Sequence, residues 1–160
     1  MQEVQILLLS KEYAQKNSEK ILELENNWKE IGDEPWNISN LMYELSYKWE
    51  LSYAAIIEGK IVGYQVGSFK EEDAVFLNKI VVDKSFRNAG IGKKLLKAFL
   101  EKALNFGKKR IIFRVRTDNP AVNFYDKLGC KRKKELDYNR SDGVASYYYD
   151  NKIETISMNL

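Results

Sequence analysis

The chain lacks histidine altogether, and Cys130 is its single cysteine among 160 residues. Without histidine, no Ser–His or Cys–His catalytic pair can form. A zinc site is not expected either, because cysteine and histidine are its usual ligands, and we predict no bound metal. One cysteine cannot form an intramolecular disulfide, which is typical of a reducing, cytoplasmic location. Proton transfer must therefore use a carboxylate, tyrosine, lysine, backbone group or water.

Long apolar runs and linker-like segments are also missing. No stretch approaches the ~20 apolar residues of a membrane-spanning helix, so no membrane partner is predicted. The chain has two prolines, no low-complexity tract and no internal repeat. We therefore predict a single domain over residues 1–160. The sequence leaves both a monomer and a homodimer open.

Charge is distributed unevenly along the chain. Residues 1–60 carry 6 Lys and Arg against 11 Asp and Glu, whereas residues 61–160 carry 20 against 12. This asymmetry favours a site with one anionic and one cationic partner, with accidental surface patterning as the alternative. The pI of about 8.8 is below that of most nucleic-acid-binding domains, and no aromatic residues interleave with the basic runs. Nucleic acid is therefore not expected as a partner.

Apolar periodicity and turn residues predict the order of secondary-structure elements. Ser39 is the predicted N-cap of the second helix, and Gly107 ends the long third helix. The predicted strands are Val4–Leu9, Ser52–Ile57, Lys60–Phe69, Ala74–Val82, Arg110–Arg116, Lys131–Tyr138 and Ser146–Met158, and the predicted helices are Ser18–Lys29, Asn40–Tyr47, Ile91–Phe106 and Ala121–Leu128. This order predicts a mixed α/β sheet with helices on its faces.

The turn from Arg87 to Lys93, Arg-Asn-Ala-Gly-Ile-Gly-Lys, has the composition of an anion-binding site. Its glycines let the backbone approach a ligand, and the first N–H groups of the following helix attract an anion. The segment 84–97 contains five Lys or Arg and no Asp or Glu, which adds to the helix dipole. The Walker and dinucleotide patterns both fail, because Lys94 and Leu95 stand where they require Ser/Thr and a third Gly.

Two segments resemble the Gcn5-related N-acetyltransferase (GNAT) superfamily. Arg87–Gly92 fits its pattern [R/Q]-x-x-G-x-[G/A] after the strand that contains Leu77–Val82. Residues 118–130, Asp-Asn-Pro-Ala-Val-Asn-Phe-Tyr-Asp-Lys-Leu-Gly-Cys, resemble its second cofactor motif, with Cys130 in place of the usual Phe. The resemblance is best over residues 50–135. It implies an α/β fold with a mixed, mostly antiparallel sheet, a splayed central strand and helices on both faces.

The resemblance also implies site residues for acetyl-CoA as the co-substrate. The backbone of Ile80, Val81 and Val82 would bind the pantetheine arm, and Val81 or Val82 would donate to the oxyanion. The pyrophosphate would be held by Arg87, Asn88, Ala89, Gly90, Ile91, Gly92 and Lys93. Asn119 would contact the cofactor, although spacing alone places the usual asparagine at Asp118. Tyr125 would be the catalytic residue and donate a proton to the departing thiolate.

The activity implied by the resemblance is acetyl transfer to a primary amine in a ternary complex. The residues Pro35–Ser39 and Tyr43–Leu45 resemble one wall of the peptide groove of bacterial ribosomal-protein N-terminal acetyltransferases. Tyr138 and the run Tyr147–Tyr149 could form the opposite wall, with packing in the core or at the sheet edge as the alternative for Trp36 and these tyrosines. A protein N-terminus is therefore one expected acceptor. The sequence leaves open an aminosugar, polyamine or antibiotic acceptor, and also a catalytically silent acyl-CoA sensor.

No general base is assigned from the sequence. Many relatives place a glutamate on the central strand or the next one, and neither Ala74–Val82 nor Arg110–Arg116 contains a carboxylate. Glu71, Glu72 and Asp73 at the strand entrance are the candidates, with a solvated turn as the alternative.

Overall fold

The computed structural model of the chain describes residues 3–26, 35–139, 143 and 145–160. In chain order its elements are β1 Gln5–Leu8, α1 Lys11–Lys16, α2 Ser18–Glu23, α3 Ile38–Met42, β2 Tyr53–Ile57, β3 Lys60–Glu71, β4 Ala74–Val82, α4 Ile91–Asn105, β5 Arg110–Arg116, α5 Ala121–Lys127, β6 Tyr138–Asn139, β7 Ala145–Lys152 and α6 Ile153–Ser157. Short 3-10 turns cover Lys84–Phe86 and Lys134–Leu136.

The strands form one sheet in the order β1-β2-β3-β4-β5-β7-β6. Every neighbouring pair is antiparallel except β4 and β5, which are parallel. β4 and β5 pair only over Ala74–Phe76 with Arg110–Ile112, and the rest of β4 has no ladder to β5. The central strand is thus splayed, which confirms the predicted fold class. On its β5 side, the second half of β4 therefore has backbone N–H and C=O groups without a partner in the described strands. Such groups are available to bond an added extended chain.

A bulge at Asn78 changes the direction of the side chains along β4. Val66 pairs with Lys79 whereas Gly67 pairs with Leu77, so Asn78 is the extra residue. Because side chains alternate with period two, the bulge places Leu77 and Ile80 on one face of the sheet. Val81 lies on the other face.

Helices cover both faces of the sheet. α4, α5 and α6 pack on one face through a buried cluster that includes Phe99, Tyr125 and Ile153. α1, α2 and α3 pack on the other face around Leu41 and Tyr64. The close approach of α4 requires glycine on β3, because a Cβ at Gly67 would lie 2.3 Å from the ring of Phe99. We refer to the two sides below as the α4 face and the α3 face.

Several predicted elements differ from the structure. The N-cap of α3 is Asn37, which exchanges side-chain bonds with Asn40, so the prediction of Ser39 was wrong. The predicted helix Ser18–Lys29 is α2, which ends at Glu23, and its residues 27–29 lie outside the described residues. α1 was not predicted.

The predicted strands at the C-terminal end were partly wrong. A 3-10 turn and the two-residue strand β6 replace most of Lys131–Tyr138. The last predicted strand ends at Lys152 and continues as α6. Tertiary contacts explain the helix, because Ile153 and Ile156, three positions apart, are both fully buried.

Candidate functional site

A cleft of about 550 Å³ opens on the α4 face beside the splayed part of β4. It lies between β4, the turn that leads into α4, and α5. The lining residues are Ile80, Val82, Phe86, Arg87, Asn88, Gly90, Ile91, Gly92, Lys93, Pro120, Ala121, Asn123, Phe124, Tyr125 and Lys127. Nine of the twelve predicted site residues are therefore brought together in one cleft. Six of the lining residues were not predicted as site residues: Phe86, Pro120, Ala121, Asn123, Phe124 and Lys127.

The backbone of the turn before α4 is shaped for close approach by a ligand. Asn88 and Gly90 have φ angles of 66° and 78°, in the left-handed region. Gly90 is the N-cap of α4. Because glycine has no side chain, the first N–H groups of α4 have no capping side chain to which they can donate. These N–H groups and the positive end of the helix dipole border the cleft, with Arg87 and Lys93 among its lining residues. The arrangement suits a phosphate group.

The opposite wall of the cleft is aromatic. Phe124 faces Gly92 across the cleft, since a Cβ on Gly92 would lie 3.6 Å from the Phe124 ring. The Tyr125 ring lies 4.4 Å from that of Phe113 and 5.3 Å from that of Phe124. Burial raises the pKa of the Tyr125 hydroxyl above its usual value. Tyr125 therefore stays protonated at neutral pH and can act only as a hydrogen-bond donor or acid.

Three predicted cofactor-binding residues do not line the cleft. The Val81 side chain is buried among α1, α2 and α3, and its main chain pairs with Tyr64 on β3 and not with the gap beside β4. Ala89 lies within the turn between two lining residues. The side-chain oxygen of Asn119 accepts the N–H of Ala121 at 2.8 Å, which engages it at the start of α5. Asp118 instead forms an ion pair with Arg116 at 2.9 Å.

The α3 face of the same gap carries a buried polar cluster that sequence reasoning missed. The Glu25 carboxylate is 1% exposed and accepts the hydroxyl of Tyr64. Its second oxygen lies 2.9 Å from the ammonium nitrogen of Lys79. That nitrogen lies 5.4 Å from the centre of the Trp36 ring. Glu25 and Lys79 are 54 positions apart, and no local pattern in the sequence links them.

A second buried lysine holds the end of α3. Lys48 is 1% exposed, and its ammonium donates to the carbonyls of Leu41 and Tyr43 at 2.6 Å each. It also lies 4.7 Å from the centre of the Trp49 ring. Burial lowers the pKa of Lys48 to about 8, against the opposing attraction of Glu44. Lys48 thereby fixes α3 and the segment that carries Trp36.

The tyrosines predicted for the opposite acceptor wall have different environments. Tyr149 is fully buried and stacks on Phe113 at 4.7 Å, so it belongs to the core. Tyr147 is partly buried, with the Arg132 guanidinium 3.9 Å from its ring centre. Tyr148 is 9% exposed on the α3 face. Tyr138 pairs with Ser146, and its side chain lies outside the described part of the chain.

Cys130 and the acidic residues do not form a metal or nucleophile site. Burial raises the pKa of the Cys130 thiol to about 12, so it is inert packing beside Tyr125. The described residues contain no group of three Cys, Asp or Glu side chains positioned to hold a metal. Glu71 and Asp73, predicted as candidate bases, form ion pairs with Arg110 at the far end of β4. No helix among the described residues is long and apolar enough to cross a membrane.

Comparison with known proteins finds relatives that are similar in sequence. The chain is 29% identical over 107 residues to N-alpha-acetyltransferase 30 of Dictyostelium discoideum, covering 64% of this chain and 58% of that protein. It is 33% identical over 91 residues to the spermine/spermidine N(1)-acetyltransferase of Bacillus subtilis (strain 168), covering 51% and 60%. The chain thus spans about three fifths of the length of these curated relatives.

A solved structure and a family model agree on the fold and the family. The ribosomal-protein-S18-alanine N-acetyltransferase of Escherichia coli superposes with a TM-score of 0.74 at 18% identity, over 94% of each chain. This likeness shows the fold. The model of the acetyltransferase (GNAT) family matches residues 19–130, most of the chain. The chain belongs to the GNAT acetyltransferase family.

Proposed function

We propose that this chain transfers the acetyl group of acetyl-CoA to the α-amino group of a protein or peptide. The observation that carries the proposal is the gap beside β4, which borders the cleft at the start of α4 on one face, while Lys79 of the same strand lies near Trp36 on the other face. Two substrates can then meet across one splayed strand. Family membership supports the chemistry, since GNAT proteins use acetyl-CoA.

The residues of the cleft fit an acyl-CoA. The N-terminus of α4, with Arg87 and Lys93, would hold the pyrophosphate, because backbone N–H groups and cations converge there. The main-chain groups of Ile80 and Val82 that face the gap would bond an extended arm in the way an added strand does. Gly92 and Phe124 would border this arm, since both line the cleft.

The reaction forms a bond between the amine nitrogen and the acetyl carbon and breaks the carbon–sulfur bond. The nitrogen loses a proton and the sulfur gains one. We assign Tyr125 to the sulfur atom, because it borders the cleft and its hydroxyl is protonated at neutral pH and able to donate. Of the two predicted oxyanion donors, Val82 is the one whose backbone N–H faces the gap, because the Val81 N–H lies on the side of β4 that pairs with β3.

The absence of a carboxylate on β4 and β5 favours an acceptor that loses its proton readily. An α-amine with a pKa of ~7.7–8.0 is roughly one quarter neutral at pH 7.5, whereas an alkylamine with a pKa of ~10.4 is roughly 0.1% neutral. The relative named N-alpha-acetyltransferase 30 supports the same acceptor class. Of the N-terminal sequences, one that begins with alanine is the first to test, from the likeness to the ribosomal-protein enzyme.

A polyamine is the second candidate acceptor. The similarity to the spermine/spermidine N(1)-acetyltransferase favours it. The acidic composition of residues 1–60 also favours a cationic acceptor. A catalytically silent acyl-CoA sensor is the third reading, and it would use the same cleft.

One set of assays separates these candidates. The protein is incubated with acetyl-CoA and one of three amines. The first is a peptide that begins with alanine, and the second is the same peptide with a blocked N-terminus and an internal lysine. The third is spermidine. Mass spectrometry then locates the added acetyl group. We expect modification of the free α-amine. Acetylation of spermidine alone would replace the proposal by the polyamine function, and no product with any amine would favour the sensor.

Tyr125→Phe tests the assigned acid. We expect turnover to fall by about 10²-fold or more, the usual contribution of a positioned acid, while the affinity for acetyl-CoA changes little. Tyr53→Phe is the matched control, because it removes a hydroxyl from a tyrosine on β2 that does not line the cleft. Equal turnover in Tyr125→Phe and wild type would remove Tyr125 from the mechanism.

A further inference from the structure

The cluster on the α3 face has the composition of an ammonium-binding subsite. Glu25 supplies a carboxylate that is 1% exposed, and Tyr64 fixes its orientation by donating to one oxygen. Trp36 supplies an aromatic face beside the second oxygen. A carboxylate and an aromatic face together are the usual recognition elements for an ammonium group in proteins.

An ammonium group already occupies this subsite, and it belongs to the protein. The Lys79 nitrogen lies 2.9 Å from the Glu25 carboxylate and 5.4 Å from the centre of the Trp36 ring. The Lys79 side chain is 18% exposed, so solvent reaches it although Glu25 is closed off. The Lys79 ammonium is thus the charged group that occupies the second oxygen of the carboxylate.

The subsite lies directly across the sheet from the cleft. Lys79 is the neighbour of Ile80, which lines the cleft, and successive strand side chains point to opposite faces. Lys79 follows the bulge at Asn78, where β4 has already separated from β5. Lys79 therefore lies beside the gap on the α3 face.

We infer that Lys79 is a specificity-determining residue that fills an ammonium subsite and thereby excludes polyamine acceptors. A polyamine carries additional ammonium groups besides the one that reacts, and each needs an anionic or aromatic partner when it leaves water. Lys79 denies a polyamine the Glu25 and Trp36 partners and repels it as a like charge. A peptide with a single amino group has no need of the subsite. The inference rests on the proposed function for the position of the acceptor.

A purely structural ion pair is the competing explanation. In that case Lys79 only neutralises Glu25, and removal of its charge destabilises the protein without creating a binding site. The two explanations differ in one observable quantity, the affinity of the free protein for a polyamine.

The test is isothermal titration of spermidine into wild type, Lys79→Met and the double variant Glu25→Gln/Lys79→Met, without acetyl-CoA. We expect Lys79→Met to bind spermidine about tenfold or more tightly than wild type, the size expected for one charge-assisted hydrogen bond. The double variant should lose the gain, because it lacks the carboxylate. Lys70→Met is the matched control: it removes one charge near the Phe76 ring on the same sheet, so it should not gain.

Lys79→Gln keeps the test decisive if Lys79→Met fails to fold. Glutamine can still donate a hydrogen bond to Glu25 but carries no charge, so a smaller gain in spermidine affinity is expected. A folded Lys79→Met or Lys79→Gln protein with wild-type affinity would overturn the inference. Equal gains in the control or in the double variant would also overturn it. These binding results do not depend on turnover, so they stand apart from a failure of the proposed acetylation.

Discussion

The two faces of the splayed strand are built in different ways. On the α4 face, the cleft is formed largely by main chain: a left-handed turn, the first N–H groups of α4 and the unpaired edge of β4. On the α3 face, Trp36, Lys79 and Glu25 come from three separate segments, and a buried ion pair joins two of them. A binding site formed by main-chain groups keeps its hydrogen-bonding groups when side chains are substituted. A binding site formed by side chains changes its chemistry with each substitution. This difference suits a shared co-substrate on one face and a chain-specific acceptor on the other.

The largest effect is expected from Gly90→Val. Valine at a φ of 78° is strained, and its branched side chain would stand where a phosphate approaches the backbone. We expect acetyl-CoA affinity to fall by more than about 100-fold, as measured by calorimetry. Gly107→Val is the matched control, since Gly107 has a φ of 81° and open space around it at the far end of α4. Equal losses in the two variants would mean that strain, and not the ligand site, is responsible.

The next largest effect is expected from Glu25→Ala, on the other face. It leaves the Lys79 ammonium and the Tyr64 hydroxyl without their acceptor, and breaking a buried ion pair costs about 3–5 kcal/mol. Urea unfolding measures the change. Glu44→Ala is the control, because it removes an exposed carboxylate paired with Lys11 and should change stability little. A cost for Glu25→Ala as small as that of the control would show that the pair is not buried in solution.

The smallest effect is a dependence of stability on pH that arises from Lys48. Its pKa is about 8 when folded, against 10.5 for an ordinary lysine. Between these values the unfolded chain binds more protons, so the free energy of unfolding should rise as pH increases from about 8 to 10.5. Lys48→Met should flatten this rise in urea unfolding. A rise of the same slope in Lys48→Met would assign it to another group.

The sequence predicted the α4 face better than the α3 face for a physical reason. β4 and β5 were predicted with the bounds that the structure has, because long apolar runs flanked by charged turns identify them. The glycine turn and the helix that follows it were predicted because both are local in sequence, whereas anion binding by the turn stays a prediction. The contact between Glu25 and Lys79 depends on the bulge at Asn78, which sets the face on which Lys79 lies. A bulge that arises from the pairing of β3 with β4 has no local signature.

Other errors have the same origin in tertiary packing. The residues of α6 include Ile153, Thr155 and Ile156, whose β-branched side chains favour a strand. Burial of both isoleucines in the cluster with α4 and α5 outweighs that preference. The expected contact of Asn119 with the cofactor stays a prediction, and the structure adds that its side-chain oxygen accepts the N–H of Ala121 at the start of α5.

The most direct test of the central claim is the thermal shift of the purified protein with acetyl-CoA, with ATP and NAD as controls. A ligand at ~100 times its dissociation constant stabilises the folded state by about 2.7 kcal/mol. For a chain of this size the melting temperature should rise by several degrees. We predict this rise with acetyl-CoA and not with ATP or NAD. No shift with acetyl-CoA, or an equal shift with all three, would contradict the assignment of the cleft as an acyl-CoA site.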